Sequence, residues 1–365
     1  MRILFLVSQF PPEFWFGTEQ VTLNLAKAAQ SEGHSVEVLT ITMRDGDGWR
    51  TDRDAFSTTV IEGVPVTALL SGDQALRDIG DIANPKLARS VTRFLAKRPG
   101  FDIAHVMHCG RTAQATKLLA DLRIPYLITI AELLDHRTQF GDLLLRASAV
   151  VAVSGFVAGK ICKSHSELPM QIIPNGVDLL RFKARAPRSP VAKFTIGYLG
   201  PISGASGTLL LAKAFAATGT INAELRMVGP TLETEVSAEI EQLSKTSAIR
   251  LEGPVPASEI PNVLASFDLL AVPSQHRERL GHSLNLGFAA GIPALVSNLG
   301  SLAEVVTKSG AGQVIDATDM GAWSDAIAQI TRDPEQLAAW TRAIPLPTRI
   351  EEEAFLYSQI YRAIR

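Results

Sequence analysis

The chain has 365 residues, which at roughly 150 residues per domain predicts two globular domains. Its 46% hydrophobic and 20% charged residues are typical of a folded globular protein and exclude a disordered, collagen-like or coiled-coil chain. The 35 basic and 37 acidic residues give a formal net charge of −2, so no global field attracts nucleic acid and any anion site must be local.

The cysteine content and the hydropathy predict a cytoplasmic protein. The two cysteines, Cys109 and Cys162, cannot form a disulfide framework, and their spacing is not that of a structural zinc site. The first apolar run, residues 3–7, is too short for the core of a signal peptide. No stretch approaches the roughly 18 apolar residues that a membrane-spanning helix needs. We therefore expect a protein that is not integral to a membrane.

Strands and helices alternate through the first half of the sequence. Residues 3–7 are continuously apolar, as expected of a strand buried on both faces of a parallel sheet. A loop runs to Gly17, and Thr18 can serve as the N-cap of a helix that Gly33 ends. Further strands are predicted at residues 36–40, 64–69, 102–106, 126–130 and 149–153. This pattern predicts a doubly wound, Rossmann-like α/β domain over residues 1–182.

A second domain of the same type is predicted over residues 194–345. The prolines and charges of residues 183–193 suit a linker. Strands are predicted at residues 194–200, 225–228, 249–252, 269–272 and 294–296. Helices are expected from about Ser206, Leu232, Ser258, His282, Ser301 and Gly321. Two such domains face each other across a cleft, where ligands bind at the carboxyl ends of the strands. Residues 346–365 predict a C-terminal helix that packs back on the first domain.

The loop after the first strand is the first candidate site. Gly17 stands before a helix, where backbone N–H groups and the helix dipole favour an anion, although a simple turn glycine explains the residue equally well. Phe14, Trp15 and Phe16 give the loop its aromatic character. These rings can stack on a sugar or merely close the lip of the cleft.

The second candidate site precedes the helix predicted at His282. Gly281 before this helix again suits an anion. Glu278 can accept hydrogen bonds from sugar hydroxyls, or it can simply complement the helix dipole. The turn at residues 174–178 has a structural interpretation, since Asn-Gly is typical of a tight turn that ends a strand.

No metal site is predicted. His105, His108 and Cys109 are close in sequence but do not have a recognised metal-ligand spacing. Residues 200–207 are rich in glycine but lack the lysine and the spacing of a phosphate-binding Walker loop.

A basic stripe marks the helix predicted over residues 85–98. Lys86, Arg89, Arg93 and Lys97 follow Pro85 at helical spacing, with no acidic residue among them. Such a helix can lie on an anionic membrane surface. An ordinary surface helix docked on its sheet explains the pattern as well, so both interpretations stay open.

The whole chain resembles the GT-B glycosyltransferases of family 4, which are retaining, metal-independent enzymes that use nucleotide-diphospho-sugars. The residues that carry the resemblance run from one end to the other: Phe10-Pro-Pro-Glu13, Gly17-Thr-Glu19, Pro174-Asn-Gly-Val-Asp178, Arg181-Phe182, Leu225-Arg-Met-Val-Gly229, Val272-Pro-Ser274, Ala289-Ala-Gly-Ile-Pro293 and Gly300-Ser-Leu-Ala-Glu-Val-Val306. No single motif is decisive, but their order and spacing together imply an α/β GT-B fold.

The resemblance also implies roles for particular residues. We expect catalytic roles for Glu278 and Glu132. Donor binding is expected from Gly17, Ser206, Arg277, Arg279, Gly281, His282, Ser283 and Leu284. Acceptor binding is expected from Phe16, Thr18 and His108. The implied partners are a nucleotide-sugar donor and a glycan or lipid-linked acceptor of polysaccharide biosynthesis, without a metal or other cofactor.

Four positions depart from the family pattern. The second of two glutamates, which binds the nucleotide ribose, is Leu286 here, and a first-domain histidine is Ala131. The arginine and lysine that normally hold the diphosphate are Pro201 and Ser206. Losing two charge-assisted hydrogen bonds removes roughly 3–6 kcal/mol, or about two to four decades of donor affinity. We hypothesise that Arg277, Arg279 or His282 restores the positive charge.

Three functions remain open at this stage. The first is a retaining, hexosyltransferase-like glycosyltransferase in the cytoplasm, with or without peripheral contact at the inner face of the membrane. The second is a catalytically inactive family-4-like protein that acts as a binding or scaffolding subunit in glycan assembly. The third is an enzyme of the same fold whose donor makes no ordinary ribose contact.

Overall fold

The computed structural model describes residues 1–7, 10, 17–44, 55–70, 85–107, 116–131, 139–183, 193–276 and 281–364. The chain forms two compact units, Met1–Gly176 with Ile350–Arg365 and Val177–Arg349. The first unit thus ends before the expected boundary at residue 182, and the second extends beyond residue 345. Most of the expected linker, residues 184–192, lies outside the described residues.

The first unit is built on an eight-stranded sheet. Its strands are β1 (Arg2–Val7), β2 (Ser35–Arg44), β3 (Ala55–Ile61), β4 (Val64–Leu70), β5 (Ile103–Met107), β6 (Tyr126–Ile130), β7 (Ala149–Ala152) and β8 (Gln171–Ile172). Their order is β3-β4-β2-β1-β5-β6-β7-β8. All neighbouring pairs are parallel except β3 with β4. The described helices that connect them are α1 (Thr18–Ser31), α2 (Pro85–Lys97), α3 (Gln139–Leu145) and α4 (Gly155–Cys162), with a further helical segment at 116–121.

The antiparallel edge strand β3 is not in the sequence prediction. It joins β4 through Glu62 and Gly63, both of which have positive φ, at 46° and 86°. Two consecutive residues of positive φ are what a two-residue hairpin turn of type I′ requires. The usual sequence signals for this turn are Asn-Gly and Asp-Gly, so Glu-Gly gave no clear hairpin signal.

The second unit is built on a six-stranded parallel sheet. Its strands are β9 (Phe194–Leu199), β10 (Ala223–Val228), β11 (Ile249–Glu252), β12 (Leu269–Val272), β13 (Ala294–Ser297) and β14 (Gly312–Ile315), in the order β11-β10-β9-β12-β13-β14. The helices are α5 (Thr208–Ala217), α6 (Thr234–Ser244), α7 (Ile260–Ala265), α8 (His282–Ala289), α9 (Ser301–Ser309), α10 (Met320–Ile330) and α11 (Pro334–Arg342). A short 3₁₀ helix spans Leu179–Arg181. Apolar side chains cover both sheet faces and form two core clusters, so this is the predicted doubly wound architecture.

The last helix, α12 (Ile350–Ala363), belongs to the first unit. It packs against α1, and Tyr357, Ile360 and Tyr361 are buried in the core of that unit. The chain therefore leaves the first unit after Gly176 and re-enters it at Ile350. Within the described residues, no helix combines the length and the apolar character needed to cross a membrane.

Candidate functional site

The sheet of the second unit has its topological switch point between β9 and β12. The chain runs outward from β9 through β10 to β11, and on the other side from β12 through β13 to β14. Ligands of open α/β sheets bind at the carboxyl ends of the strands where the order reverses. Residues 200–207 follow β9, and residues 273–276 follow β12, so these two loops form the described part of the candidate donor site.

Close backbone contact joins the two loops. Gly207 is the N-cap of α5 and has a φ of 70°, and a Cβ there would lie 1.9 Å from the carbonyl oxygen of Pro273. The Gln275 N–H donates to the carbonyl of Ala205 over 2.9 Å. The His276 Nδ1 lies 2.9 Å from the same carbonyl. Only a glycine fits at position 207, because any side chain would push the loops apart.

The two family positions that lack a cation have local partners in the structure. The Pro201 carbonyl accepts a hydrogen bond from the Tyr198 hydroxyl over 2.7 Å. The Ser206 N–H donates to Ser203 Oγ over 3.2 Å, and the two hydroxyl oxygens are 2.9 Å apart. A carboxylate also binds this loop, since the Gly204 N–H donates to Glu233 Oε2 over 3.1 Å. Neither Pro201 nor Ser206 supplies positive charge, and the donor role of Ser206 stays a prediction.

The N-termini of α8 and α9 lie side by side at the same edge of the sheet. Gly281 caps α8 in the left-handed conformation, with φ 54° and ψ 28°. A Cβ on Gly281 would lie only 3.7 Å from Ser301 Oγ, in the first turn of α9. Gly300 caps α9, also with positive φ. Two helix N-termini at one place give an anion two sets of backbone N–H groups and two favourable dipole ends.

The first residues of α8 differ in what they can offer a ligand. His282 and Ser283 are half-buried, so each retains some exposed surface. Leu284 is completely buried in the apolar core beside Leu302, so only its backbone can contact a donor. Leu286, which replaces the family's ribose-binding glutamate, packs against the same core.

In the first unit, the switch point lies between β1 and β5. Gly17 is the N-cap of α1, with φ 69° and ψ −125°, and no side chain caps the helix. The prediction that Thr18 is the N-cap is therefore wrong, because the chain needs the positive φ of Gly17 to enter the helix. Thr18 is instead the first helical residue; it is buried, and its carbonyl accepts the Thr22 hydroxyl over 2.7 Å.

A titratable residue at this helix start was not singled out from the sequence. Glu19 lies in the first turn of α1, and burial raises its pKa to about 7. An acidic residue in a first helical turn usually only complements the dipole, which gave no reason to select it. Ala131, which replaces the family histidine, is buried directly after β6.

A buried polar network under the first switch point also escaped the sequence prediction. His105 Nδ1 lies 2.7 Å from the Tyr361 hydroxyl, and its Nε2 lies 2.8 Å from Thr129 Oγ1. Thr129 Oγ1 in turn lies 2.8 Å from the Tyr357 hydroxyl. Burial lowers the pKa of His105 to about 3, so the ring is neutral. Both ring nitrogens of His105 therefore have hydroxyl partners.

A second buried carboxyl lies where the chain leaves the first unit. Glu353 Oε2 accepts the Gly176 N–H over 2.8 Å, and burial raises the pKa of Glu353 to about 8. Asn175, which precedes Gly176 in the sequence, is also buried. The predicted turn at residues 174–178 therefore contacts the C-terminal helix, a long-range role that a local turn motif does not reveal.

Six predicted site residues lie outside the described residues: Phe16, His108, Glu132, Arg277, Glu278 and Arg279. Their roles stay predictions. Among the residues that the structure describes, no group of three His, Cys, Asp or Glu side chains can hold a metal ion.

Comparison with known proteins identifies the same two halves. The family model "Glycosyltransferase Family 4" matches residues 16–181, and the model "Glycosyl transferases group 1" matches residues 181–345. The lipopolysaccharide core biosynthesis mannosyltransferase LpsB of Rhizobium meliloti is 28% identical over 342 residues, which cover 84% of this chain and 93% of LpsB. The 2-deoxystreptamine glucosyltransferase of Streptomyces kanamyceticus is 24% identical over 72% of this chain and 67% of its own.

Solved structures share the fold at low sequence identity. Sucrose-phosphate synthase from Thermosynechococcus elongatus superposes with a TM-score of 0.77 and 16% identity, over 100% of this chain and 99% of its own. The Anabaena protein HepE, solved in complex with UDP and glucose, gives a TM-score of 0.76 and 17% identity, over 99% of both chains. These similarities confirm the predicted GT-B architecture. Because the two family models together span residues 16–345, the chain belongs to the group 1, family 4 glycosyltransferases.

Proposed function

We propose that this protein transfers a sugar from a nucleotide-diphospho-sugar to a glycan or lipid-linked acceptor with retention of configuration. The observation that carries the proposal is the pair of glycine-capped helix N-termini, α8 and α9, beside the switch point of the second unit. A diphosphate at this edge receives backbone N–H groups from both helices. The same groups stabilise the negative charge that develops on the leaving diphosphate when the glycosidic bond breaks.

The proposed roles follow the chemistry of this edge. Glu278 accepts hydrogen bonds from the donor sugar, and Glu132 borders the acceptor in the first unit. Arg277 and Arg279, four and two residues before Gly281, supply the charge that Pro201 and Ser206 lack, together with His282. Because backbone N–H groups and arginines neutralise the diphosphate, we propose that transfer needs no metal ion.

The relatives support the classes of donor and acceptor. The complex of HepE contains UDP and glucose, which supports a nucleotide-sugar donor. LpsB is a mannosyltransferase of lipopolysaccharide core biosynthesis, which supports a glycan acceptor on a lipid anchor. These are the two substrates that the proposed reaction requires.

Titration calorimetry with UDP, GDP, ADP and TDP tests the proposal. We expect micromolar binding of one nucleotide, unchanged by EDTA. NMR of the product formed from the matching sugar nucleotide then reports the anomeric configuration, which we expect to equal that of the donor. If none of the four nucleotides binds, the chain is a scaffolding or glycan-binding relative; if the anomer is inverted, retention is wrong.

We further propose that α2 contacts an anionic membrane, where a lipid-linked acceptor resides. The sequence of this helix carries Lys86, Arg89, Arg93 and Lys97 on one stripe, and basic amphipathic helices bind anionic lipid headgroups. Pelleting with phosphatidylglycerol vesicles tests the contact, with phosphatidylcholine vesicles as the control. Wild type should pellet only with the anionic vesicles, and the Lys86→Glu, Arg89→Glu double variant should stay in the supernatant. Equal pelleting of wild type and variant would contradict the contact.

A further inference from the structure

A continuous polar network is buried in the apolar core of the first unit. It links two tyrosines of α12 to two neighbouring strands, through Tyr361, His105, Thr129 and Tyr357 in that order. Each of the three heavy-atom separations is 2.7 or 2.8 Å, which is ideal for a hydrogen bond. All four side chains are at most 2% exposed. The C-terminal helix is therefore docked by hydrogen bonds as well as by apolar packing.

Such a network destabilises the folded protein unless every polar group in it has a hydrogen-bond partner. Buried hydroxyl and imidazole groups lose their hydration, which costs free energy if a hydrogen bond is missing. Apolar side chains of similar size would stabilise the same core without that penalty. A satisfied network instead selects one arrangement of the elements that it joins, because a small shift breaks its hydrogen bonds. The network thus specifies the position of the strands more strictly than apolar contacts do.

The strands that it holds lead to the predicted acceptor side. His105 lies in β5, Thr129 lies in β6, and the His105 ring packs 5.1 Å from the ring of Phe5 in β1. Strands β1, β5 and β6 are adjacent at the centre of the sheet. In the sequence, these strands are followed by Phe16, His108 and Glu132, the predicted acceptor-side residues, which lie outside the described residues. Thr129 is three residues from Glu132 in the sequence.

We propose that Tyr357 and Tyr361 are positioning residues for the acceptor side of the first unit, acting through Thr129 and His105. The C-terminal helix thereby contributes to the reaction without contacting either substrate. This inference rests on the proposed transferase function. It assigns a role in acceptor use to the last helix of the chain, whose Tyr361 is 256 residues from His105 in the sequence.

Substitution of the central hydroxyl tests the inference. Thr129→Val removes both hydrogen bonds at nearly constant volume, and Thr129→Ser restores the hydroxyl. Tyr357→Phe removes a single bond at the rim of the network and is the milder variant if Thr129→Val fails to fold. Tyr126→Phe is the matched control, because its buried hydroxyl donates to the Leu143 carbonyl over 2.8 Å at the other end of β6.

Transfer from GDP-mannose or UDP-glucose to octyl mannoside or octyl glucoside gives the kinetic readout. We expect Thr129→Val and Tyr357→Phe to lower kcat over KM for the acceptor by about tenfold or more, since small misplacements of reacting groups have large effects on rate. The nucleotide Kd of both variants should equal that of wild type. Thr129→Ser should recover the kcat over KM for the acceptor, and Tyr126→Phe should have the wild-type value. A loss that Tyr126→Phe shares, or no loss in Thr129→Val and Tyr357→Phe, would overturn the inference.

Hydrogen exchange separates this inference from the proposed function. Amides at the carboxyl ends of β5 and β6 should exchange faster in Thr129→Val and Tyr357→Phe than in wild type or Tyr126→Phe. If wild type transfers no sugar and binds no nucleotide, the proposed function fails, and the exchange rates alone decide whether the network holds these strand ends. Unchanged exchange in Thr129→Val and Tyr357→Phe refutes the positioning role in either case.

Discussion

At the scale of single residues, three buried titratable groups lie in the first unit. Glu353, Glu19 and His105 all have pKa values shifted chiefly by burial. In the sequence, His105 stood out only for its closeness to His108 and Cys109, and Glu19 only as part of a family motif. Glu353 did not stand out, because its burial depends on contacts with elements that are distant along the chain. The sequence could identify donor-site candidates through local motifs at helix starts, whereas the burial of a carboxyl such as Glu353 is a tertiary property.

Glu353→Gln should reduce the pH dependence of stability. The pKa of Glu353 is raised from 4.5 to about 8 in the folded protein, so its contribution to stability is fully present below pH 4.5 and is lost as the pH rises to 8. The loss can reach about 1.4 kcal/mol per pH unit, because the unfolded chain releases a proton that the folded chain keeps. Gln cannot titrate, yet it still offers an oxygen to the Gly176 N–H.

Urea unfolding at pH 5, 6.5 and 8 measures this dependence. The free energy of unfolding should fall more steeply with pH for wild type than for Glu353→Gln. Glu352→Gln, at the exposed neighbouring position of α12, should behave like wild type. Identical pH slopes for wild type and Glu353→Gln would show that Glu353 does not keep its proton.

Arg277→Ala and Arg279→Ala should each weaken nucleoside diphosphate binding, if these arginines replace the missing cations. One charge-assisted hydrogen bond contributes about 1.5–3 kcal/mol, which corresponds to a rise in Kd of roughly 10- to 150-fold. Arg250→Ala, on the exposed edge strand β11, is the control and should bind like wild type. Unchanged calorimetric Kd values in both Arg277→Ala and Arg279→Ala would leave the charge compensation without support.

At the scale of elements, the close approach of the loops after β9 and β12 shapes the candidate donor site. Gly207→Ala should destabilise the second unit by about 2–5 kcal/mol, through the left-handed backbone and the clash with the Pro273 carbonyl. Gly219→Ala is the matched control, with a φ of 59° and nothing within 4 Å of its Cβ. Thermal unfolding should show a clearly larger loss of stability for Gly207→Ala than for Gly219→Ala. Equal losses of stability would mean that the two loops separate at little cost in free energy.

Element prediction succeeded where burial leaves a signal in the local sequence. Strands β6 and β12 have the predicted bounds, because strands buried on both faces are almost continuously apolar runs. The edge strand β11 also has the predicted bounds, although Arg250 and Glu252 interrupt its apolar residues. Edge strands lack that signal, and β3, with Ser57, Thr58 and Thr59, was missed. Helix starts were predicted correctly at His282 and Ser301, where a glycine precedes the helix, but α5 begins at Thr208, two residues after the expected start at Ser206.

At the scale of the whole molecule, two units of the same architecture carry different kinds of polar group. The second unit presents helix N-termini at the carboxyl edge of its sheet, as a diphosphate site requires. The first unit holds a buried hydroxyl and imidazole network below the carboxyl ends of its central strands. The order of motifs along the chain predicted the paired architecture. It could not predict the network, because a contact between residues 105 and 361 leaves no local pattern in one sequence.

The most direct test of a diphosphate site in the second unit compares a nucleoside diphosphate with its monophosphate by titration calorimetry. The base is the same in both ligands, so the difference in affinity reports the second phosphate at the N-termini of α8 and α9. We predict that the diphosphate binds at least about tenfold more tightly, the equivalent of one charge-assisted hydrogen bond. Equal affinity of the two nucleotides, or no binding of either, would contradict the assignment.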